Sequence, residues 1–294
     1  MVASSARVTH PWLLVLGASR PISWVNTAFP FAAAYLLSGG GFDWRLVIGT
    51  VFFLIPYNIA MYGINDVFDY ESDIRNPRKG GVEGTVIPKS AHRLLLRASW
   101  VTTLPFLVVL LFAGTATSAV WLLISAFMVV AYSMKGLRFK EIPFLDSITS
   151  SAHFVTPALV GATMTGQPLG GWFIAALVSF FFWGMASHAL GAIQDVTSDR
   201  AAGLASIATV LGAAKTALVT TVWYVLAVVI VALCPWPSQI VALAITPYAL
   251  NAARFIGLTD RQCSRARGGW QFFLYYNFVA GSIITITMLA VVLR

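Results

Sequence analysis

The sequence has few charged residues and no polar stretch long enough to form a soluble domain. Only 10% of its 294 residues are Asp, Glu, Lys or Arg, whereas soluble domains contain roughly 25%. An ordinary soluble enzyme is therefore excluded. The hydrophobic content of 58% and the mean hydropathy of +0.79 predict an integral membrane protein instead. Residues 1–294 are expected to form one membrane domain.

Several kinds of reactive motif are also missing. The sequence contains no Gly-x-Ser-x-Gly, Walker loop, His-Glu-x-x-His or Cys-x-x-Cys, so a covalent nucleophile is not indicated. Its two cysteines, Cys234 and Cys263, fall in different loops, and neither a disulfide framework nor a cysteine metal site is expected. The formal charge of +8 does not indicate nucleic-acid binding, because the charges lie in short loops between apolar runs.

Nine apolar runs are each long enough to cross a bilayer, which takes roughly 20 residues. None alternates with a period of two, so the runs predict helices and not strands. The predicted fold is an all-α bundle of nine transmembrane helices. The predicted bounds are 20–38, 45–66, 94–113, 118–134, 144–164, 171–193, 216–234, 238–257 and 270–292.

The distribution of Lys and Arg predicts how this bundle lies in the cell membrane. Of the 19 basic residues, only Arg45 and Arg294 fall on one side, and the other 17 fall on the opposite side. Because basic loops remain in the cytoplasm, the amino terminus is predicted to be cytoplasmic. The loops near 67–93, 135–143, 194–215 and 258–269 are predicted on the same side, so the polar chemistry faces the cytoplasm.

Two groups of acidic residues follow apolar runs. Asn65, Asp69 and Asp73 recur every fourth residue, which stacks them on one face of a helix. Asp195 and Asp199 repeat this spacing much later. Such groups can also be solvated loops or ordinary helix ends, but acids at membrane depth usually serve a function. Oxygen ligands of this kind suit Mg²⁺, which bridges carboxylates to substrate phosphates.

The two acidic groups are predicted on the same membrane side, so they can face each other. Together they would hold a magnesium diphosphate at the mouth of a central cavity that opens to the cytoplasm. Hydroxyls and cations nearby are candidates to bind the diphosphate oxygens, although basic loop residues are also expected without such a role. These candidates are Arg20, Arg75, Lys79, Tyr132, Ser133 and Lys140.

Three further polar residues lie within the runs. His188 precedes Asp195 by seven residues on the same helical face, and is either a proton acceptor in the cavity or a buried structural histidine. Asn26 and Asn58 either line the cavity or make hydrogen bonds between helices. His153 is a weaker candidate of the same kind.

These motifs resemble those of the UbiA superfamily of intramembrane prenyltransferases. The likeness rests on N-x-x-x-D-x-x-x-D at Asn65, Asp69 and Asp73, D-x-x-x-D at Asp195 and Asp199, Arg20-Pro21 and Tyr132-Ser133. Within the superfamily, the strings 19–26 and 62–81 resemble those of the lycopene elongases of carotenoid-pigmented bacteria.

The resemblance implies a specific reaction and specific roles. Asn65 and the four motif aspartates would hold Mg²⁺ ions that bridge the diphosphate. Such enzymes ionise an allylic diphosphate, and the elongases transfer dimethylallyl from its diphosphate to the terminal double bond of lycopene. One alternative is another UbiA-type enzyme with an aromatic, quinone-precursor acceptor. Another is a divalent-ion transporter, since acids within the membrane also mark ion paths.

Overall fold

The protein is described by a computed structural model that covers residues 10–74 and 87–293, with only the backbone of Ser72 and Asp73. Every regular element in these ranges is helical. The α-helices are α1 (Pro11–Ala18), α2 (Val25–Leu37), α3 (Trp44–Leu54), α4 (Pro56–Phe68), α5 (Tyr70–Asp73), α6 (His92–Ala113), α7 (Ala116–Ser133), α8 (Leu145–Met164), α9 (Gly171–Ile193), α10 (Val196–Ala201), α11 (Ile207–Leu211), α12 (Ala213–Ala232), α13 (Ser238–Ala253) and α14 (Ala266–Val292). Short 3-10 helices occupy Pro21–Ser23, Lys89–Ala91, Phe139–Glu141 and Asp260–Arg265.

The predicted all-helical membrane fold is confirmed. Six helical segments within the described ranges are long and apolar enough to cross a membrane, and α2 is a shorter apolar helix. The run predicted at 171–193 has the same bounds as α9, and most other runs differ from their helices by a few residues. The number of nine crossings stays a prediction.

The run predicted at 45–66 is not one regular helix. It divides into α3 and α4 at Pro56, because proline has no N–H to continue the backbone ladder. The Asn58 amide donates to the carbonyl oxygens of Phe53 (2.9 Å) and Leu54 (3.0 Å), next to the break. It also donates to Thr27 Oγ1 at 2.8 Å, which joins α4 to α2. The break is therefore supported by a buried polar cluster.

The bundle has two halves, each with its own apolar core. The first half comprises α2, α3, α4, α6, α7 and α8, with a core that includes Phe31, Phe53 and Tyr57. The second half comprises α9, α12, α13 and α14, with a core that includes Tyr224 and Tyr248. Helix α8 packs on α9, and α2 contacts α14, so the halves meet along two seams.

Candidate active site

A cavity of about 510 Å³ lies between the two halves. Both predicted acidic groups contribute to its wall. The first half supplies residues from the end of α4, and the second half supplies residues from the end of α9 and from α10. Of the residues predicted from the sequence, those that line the cavity are Arg20, Asn26, Asn65, Asp69, Tyr132, Lys140, His153, His188, Asp195 and Asp199.

The first acidic group does not lie on one continuous helix as predicted. Helix α4 ends at Phe68, and Asp69 is its C-cap residue, with its N–H donating to the Asn65 carbonyl oxygen at 2.9 Å. The helix resumes as α5. Asn65 and Asp69 nevertheless line the same cavity. Asp73 ends α5, but its side chain lies outside the described part of the chain.

The prediction that Ser133 contacts the diphosphate does not agree with its position. Ser133 is buried and accepts a hydrogen bond from the Asn65 amide, Nδ2 to Oγ at 3.0 Å. Because this bond directs the amide nitrogen away from the cavity, the oxygen of Asn65 is left as the outward ligand. Ser133 therefore orients a neighbouring side chain and does not form the wall.

The second acidic group lies at a similar helix-to-helix junction. Helix α9 ends at Ile193, and Asp195 is the N-cap residue of α10. The Asp199 N–H donates to the Asp195 carbonyl oxygen at 2.8 Å, so the two residues are one turn apart. Both line the same cavity as Asn65 and Asp69.

Cations accompany the first acidic group. The Lys140 ammonium forms an ion pair with Asp69, and the Arg138 guanidinium lies 3.9 Å from the same carboxylate. Burial lowers the pKa of Lys140 to about 8, because a low-dielectric environment disfavours the ammonium. Glu141 pairs with Arg138. Positively and negatively charged side chains therefore alternate around Asp69.

Arg20 is held by two contacts. Its guanidinium lies 3.1 Å from Asp66 Oδ1 and 4.4 Å from the centre of the Tyr62 ring, a cation–π geometry. Asp66 is almost fully buried. The sequence analysis missed Asp66 because it does not follow the four-residue spacing, although an acid inside an apolar run is itself a signal of function.

Aromatic side chains also line the cavity. The aromatic lining residues are Tyr62, Tyr132, Phe154, Trp183, Trp270 and Phe273. His188 and His153 are beside Tyr132, with ring centres 6.5 and 5.2 Å from its own. Asp146 lies behind His188 and was also missed, because an acid at the start of an apolar run is common in a first helical turn.

Of the two alternatives for Asn58, the structure shows hydrogen bonding between helices and not a place in the cavity wall. Asn58 is fully buried at the break between α3 and α4 and makes the three hydrogen bonds described above. Arg75 and Lys79 lie outside the described residues. Within the described residues, no three His, Cys, Asp or Glu side chains converge closely enough to form a metal site on their own.

The chain is similar in sequence to proteins of carotenoid synthesis. It is 57% identical over 278 residues to the lycopene elongase/hydratase of Corynebacterium glutamicum, covering 95% of this chain and 97% of that protein. It is 57% identical over 287 residues to the C(50) beta-cyclic carotenoids biosynthesis protein LbtBC of Dietzia sp., and this match covers 97% of this chain and 66% of that protein. Identity to the lycopene elongase/hydratase of Haloferax volcanii is 33% over 281 residues, covering 91% and 86%.

The fold is similar to that of solved structures. A UbiA homolog from Archaeoglobus fulgidus bound to DMAPP and Mg²⁺ matches with a TM-score of 0.65 at 18% identity, over 92% of this chain and 99% of that one. The apo structure of a UbiA homolog from Aeropyrum pernix matches with a TM-score of 0.67 at 16% identity, over 91% of this chain and 98% of that one. The family model of the UbiA prenyltransferases matches residues 27–279. The chain therefore belongs to the UbiA prenyltransferase family.

Proposed function

We propose that this prenyltransferase transfers the dimethylallyl group of its diphosphate to the terminal double bond of lycopene, and that water is then added to the extended end. The support comes from the identity of 57% over nearly the whole length of a lycopene elongase/hydratase. The cavity agrees with this pairing of substrates. Its lining includes Asp69, Asp195, Asp199 and Lys140, for a diphosphate, and six aromatic side chains, for a hydrocarbon.

The donor set of the cavity fits Mg²⁺. Carboxylate and amide oxygens from Asn65, Asp69, Asp195 and Asp199, with Asp73, are hard ligands of the type that Mg²⁺ prefers. Because both groups line the same cavity, they would hold the metal together with the oxygens of a diphosphate bound there. When bound, the metal neutralises charge on the diphosphate leaving group.

The protein's own side chains have three tasks in this reaction. Lys140 holds the carboxylate of Asp69 in place and adds positive charge where the leaving group develops negative charge. Arg20, fixed by Asp66 and Tyr62, supplies a second cation on the same wall. The aromatic faces beyond them stabilise an allylic cation and exclude water until the carbon–carbon bond has formed.

The charges of the cavity favour a hydrocarbon acceptor over an aromatic acid. An anionic acceptor needs a cation of its own away from the diphosphate. Among the described lining residues, Arg20 and Lys140 are the Arg and Lys side chains, and each already faces a carboxylate. The site is also proposed to open to the cytoplasm, as the 17-to-2 distribution of basic residues predicts.

Product analysis tests this function directly. Membranes that contain the chain are incubated with dimethylallyl diphosphate, Mg²⁺ and either lycopene or an aromatic acid, and the products are identified by mass spectrometry. We expect lycopene extended by dimethylallyl units, with diphosphate released in equal amount and no product when the metal is chelated. Extension of the aromatic acid alone would refute the proposal. Metal flux into liposomes without diphosphate release would indicate a transporter instead.

A further inference from the structure

Asp146 and His188 form a pair behind the cavity wall, separate from the two acidic groups. Asp146 lies in the first turn of α8 and is fully buried. Its Oδ1 accepts from the Ser147 N–H at 2.7 Å, and its Oδ2 accepts from the Ile207 N–H at 2.7 Å. His188 Nε2 lies 3.6 Å from the same Oδ2. The carboxylate is thus fixed by the backbone and faces one imidazole.

Asp146 and His188 depend on their mutual contact to different degrees. Both oxygens of Asp146 already have backbone donors, so the carboxylate does not require His188 as a hydrogen-bond partner. A separation of 3.6 Å is long for a hydrogen bond but close enough for a strong attraction once the imidazole carries a proton. Asp146 therefore fixes which ring nitrogen of His188 faces the protein.

His188 also lies at a useful depth in the cavity. It lines the wall, and 19% of its side chain is exposed. It precedes Asp195 by seven residues, which along a helix corresponds to roughly 10 Å. A dimethylallyl group held by its diphosphate at Asp195 spans only part of that distance. The remaining depth is where the end of the acceptor, and the charge formed on it, must lie.

We propose that His188 accepts the proton that ends the reaction, and that Asp146 positions its imidazole ring. This inference rests on the proposed function. With Nε2–H directed at Asp146, the lone pair of Nδ1 is the acceptor. General bases of this kind typically contribute about 10²–10⁴-fold to the step that they assist.

In the proposed reaction each bond that forms is matched by a bond that breaks. The C1–O bond of dimethylallyl diphosphate breaks, and its electron pair leaves with the diphosphate. The terminal π pair of the polyene forms a carbon–carbon bond to C1, which leaves a tertiary carbocation on the acceptor. A water molecule forms a carbon–oxygen bond to that cation and gives its surplus proton to His188. The products are a tertiary alcohol, diphosphate and an imidazolium, which returns its proton to solvent.

The ratio of two products tests this role. The full chain in membranes is given dimethylallyl diphosphate, lycopene and ¹⁸O-labelled water, and extended products are separated into hydrated and unhydrated end groups. We expect His188→Gln to extend lycopene but to lower the hydrated-to-unhydrated ratio by on the order of tenfold or more, because the cation then loses a proton from carbon. Asp146→Asn should shift the ratio in the same direction by less. Added imidazole should restore hydration in His188→Ala.

The controls separate this inference from the proposed function. His10→Gln removes an exposed imidazole that does not line the cavity, so its product ratio should equal that of the wild type. An unchanged ratio in a His188→Gln variant that still extends lycopene would overturn the inference. Equal loss of both products would also overturn it, because that result means a structural role. If the wild type fails to extend lycopene at all, the proposed function itself fails.

Discussion

The contact between Lys140 and Asp69 shows how single residues prepare the cavity for an anionic substrate. A buried ammonium is costly unless it is paired, and Lys140 is paired with a carboxylate that also faces the predicted metal position. Arg138 approaches the same carboxylate from 3.9 Å. Under the proposed function, the same ammonium that pairs with Asp69 is placed to contact a bound diphosphate.

Replacing Lys140 by Ala should weaken diphosphate binding more than it damages the fold. We expect KM for dimethylallyl diphosphate to rise by about 10–100-fold, since charge-assisted bonds to phosphate are worth about 1.5–3 kcal/mol. Steady-state kinetics at saturating Mg²⁺ would measure this. Lys89→Ala is the matched control, because Lys89 forms an exposed ion pair with Glu71 and its loss should leave KM unchanged. An unaltered KM in Lys140→Ala would remove Lys140 from the diphosphate site.

The acidic groups allow a sharper comparison within a few residues. Asp69→Ala and Asp195→Ala should each lower turnover by on the order of 10³-fold while the protein remains folded, because each removes charge-stabilising ligands at the leaving group. Glu71→Ala, two residues from Asp69, removes an exposed ion pair with Lys89 and should retain activity. Substantial activity in either aspartate variant would contradict the proposed metal site.

The spacing of polar residues predicted the acidic groups that line the cavity but not the buried acids behind the lining. Repeats of four identified Asn65, Asp69, Asp195 and Asp199, because ligands on one helix turn must recur at that interval. Polarity within an apolar run does not reveal the direction of a side chain, so the sequence could not decide between the cavity and a helix-to-helix hydrogen bond for Asn58. The partners Asp66 and Asp146 could not be identified either, since their roles depend on residues far away in the sequence.

At the scale of elements, small residues set the distance between helices. A Cβ at Gly161 in α8 would meet the backbone oxygen of Phe31 in α2 at 2.3 Å and the Tyr35 nitrogen at 3.1 Å. In the membrane such close contact supplies the packing that water would otherwise drive. The seam between α2 and α8 therefore depends on the absence of one side chain.

Gly161→Ala should destabilise the protein even though Ala is the better helix former. The new methyl group meets backbone, which cannot move without separating the helices, and overpacking of this kind costs about 1–3 kcal/mol. Gly281→Ala in α14 is the matched control, because no atom lies within 4 Å of its added Cβ. In detergent, the melting temperature of Gly161→Ala should fall and that of Gly281→Ala should not. Equal melting temperatures would show that the seam is not tight.

A second element-scale device is the cap of α12. This helix begins after Gly212, which offers no side-chain cap, and Asp260 Oδ1 accepts from the Ala213 N–H at 2.7 Å instead. Arg200 pairs with the other oxygen of Asp260 at 2.5 Å. The Ala213 hydrogen bond first, and then Arg200, lower the pKa of the Asp260 carboxyl below its ordinary value of 3.8.

Asp260→Asn should therefore destabilise the protein in a pH-dependent way. We expect a loss of about 1 kcal/mol at neutral pH, typical of a weakened cap. Because the folded-state pKa lies below the unfolded one, this contribution is present above the ordinary carboxyl pKa and is lost as the pH falls through the folded value. Thermal unfolding from pH 7 downwards would measure it. Arg200→Ala should cost less, since the pair is partly exposed. If Asp260→Asn remained less stable than the wild type at the lowest pH, the ionised Asp260 carboxylate would not be the source of the stabilisation.

The elements themselves were predictable to a greater degree than their junctions. Apolar runs fix the helices because a membrane admits few other structures, and the bounds of α9 match the prediction. The break at Pro56 and the short α5 and α10 were not predicted. These features arise from a missing N–H and from local hydrogen bonds that compete with the helix over only a few residues. Neither cause changes the hydropathy of the sequence enough to be recognised.

Across the whole molecule, the site depends on the meeting of two halves. The first half supplies Asn65 and Asp69 and the second supplies Asp195 and Asp199. Neither half alone presents both groups to a diphosphate. The division also separates tasks, because the second half contributes His188 while the first contributes Asp146, across the seam between α8 and α9.

The orientation of this assembly in the membrane can be tested by labelling single cysteines on intact cells. The natural Cys234 and Cys263 are buried, so they provide a low background. Gly41→Cys lies in an exposed loop predicted on the outer side, where no atom lies within 4 Å of the added Cβ. Ser264→Cys lies in an exposed segment predicted in the cytoplasm. We expect a membrane-impermeant maleimide to label position 41 on intact cells and position 264 only after lysis, because basic loops stay inside. The reverse pattern would place the diphosphate site on the outer side, where a cytoplasmic prenyl diphosphate could not reach it.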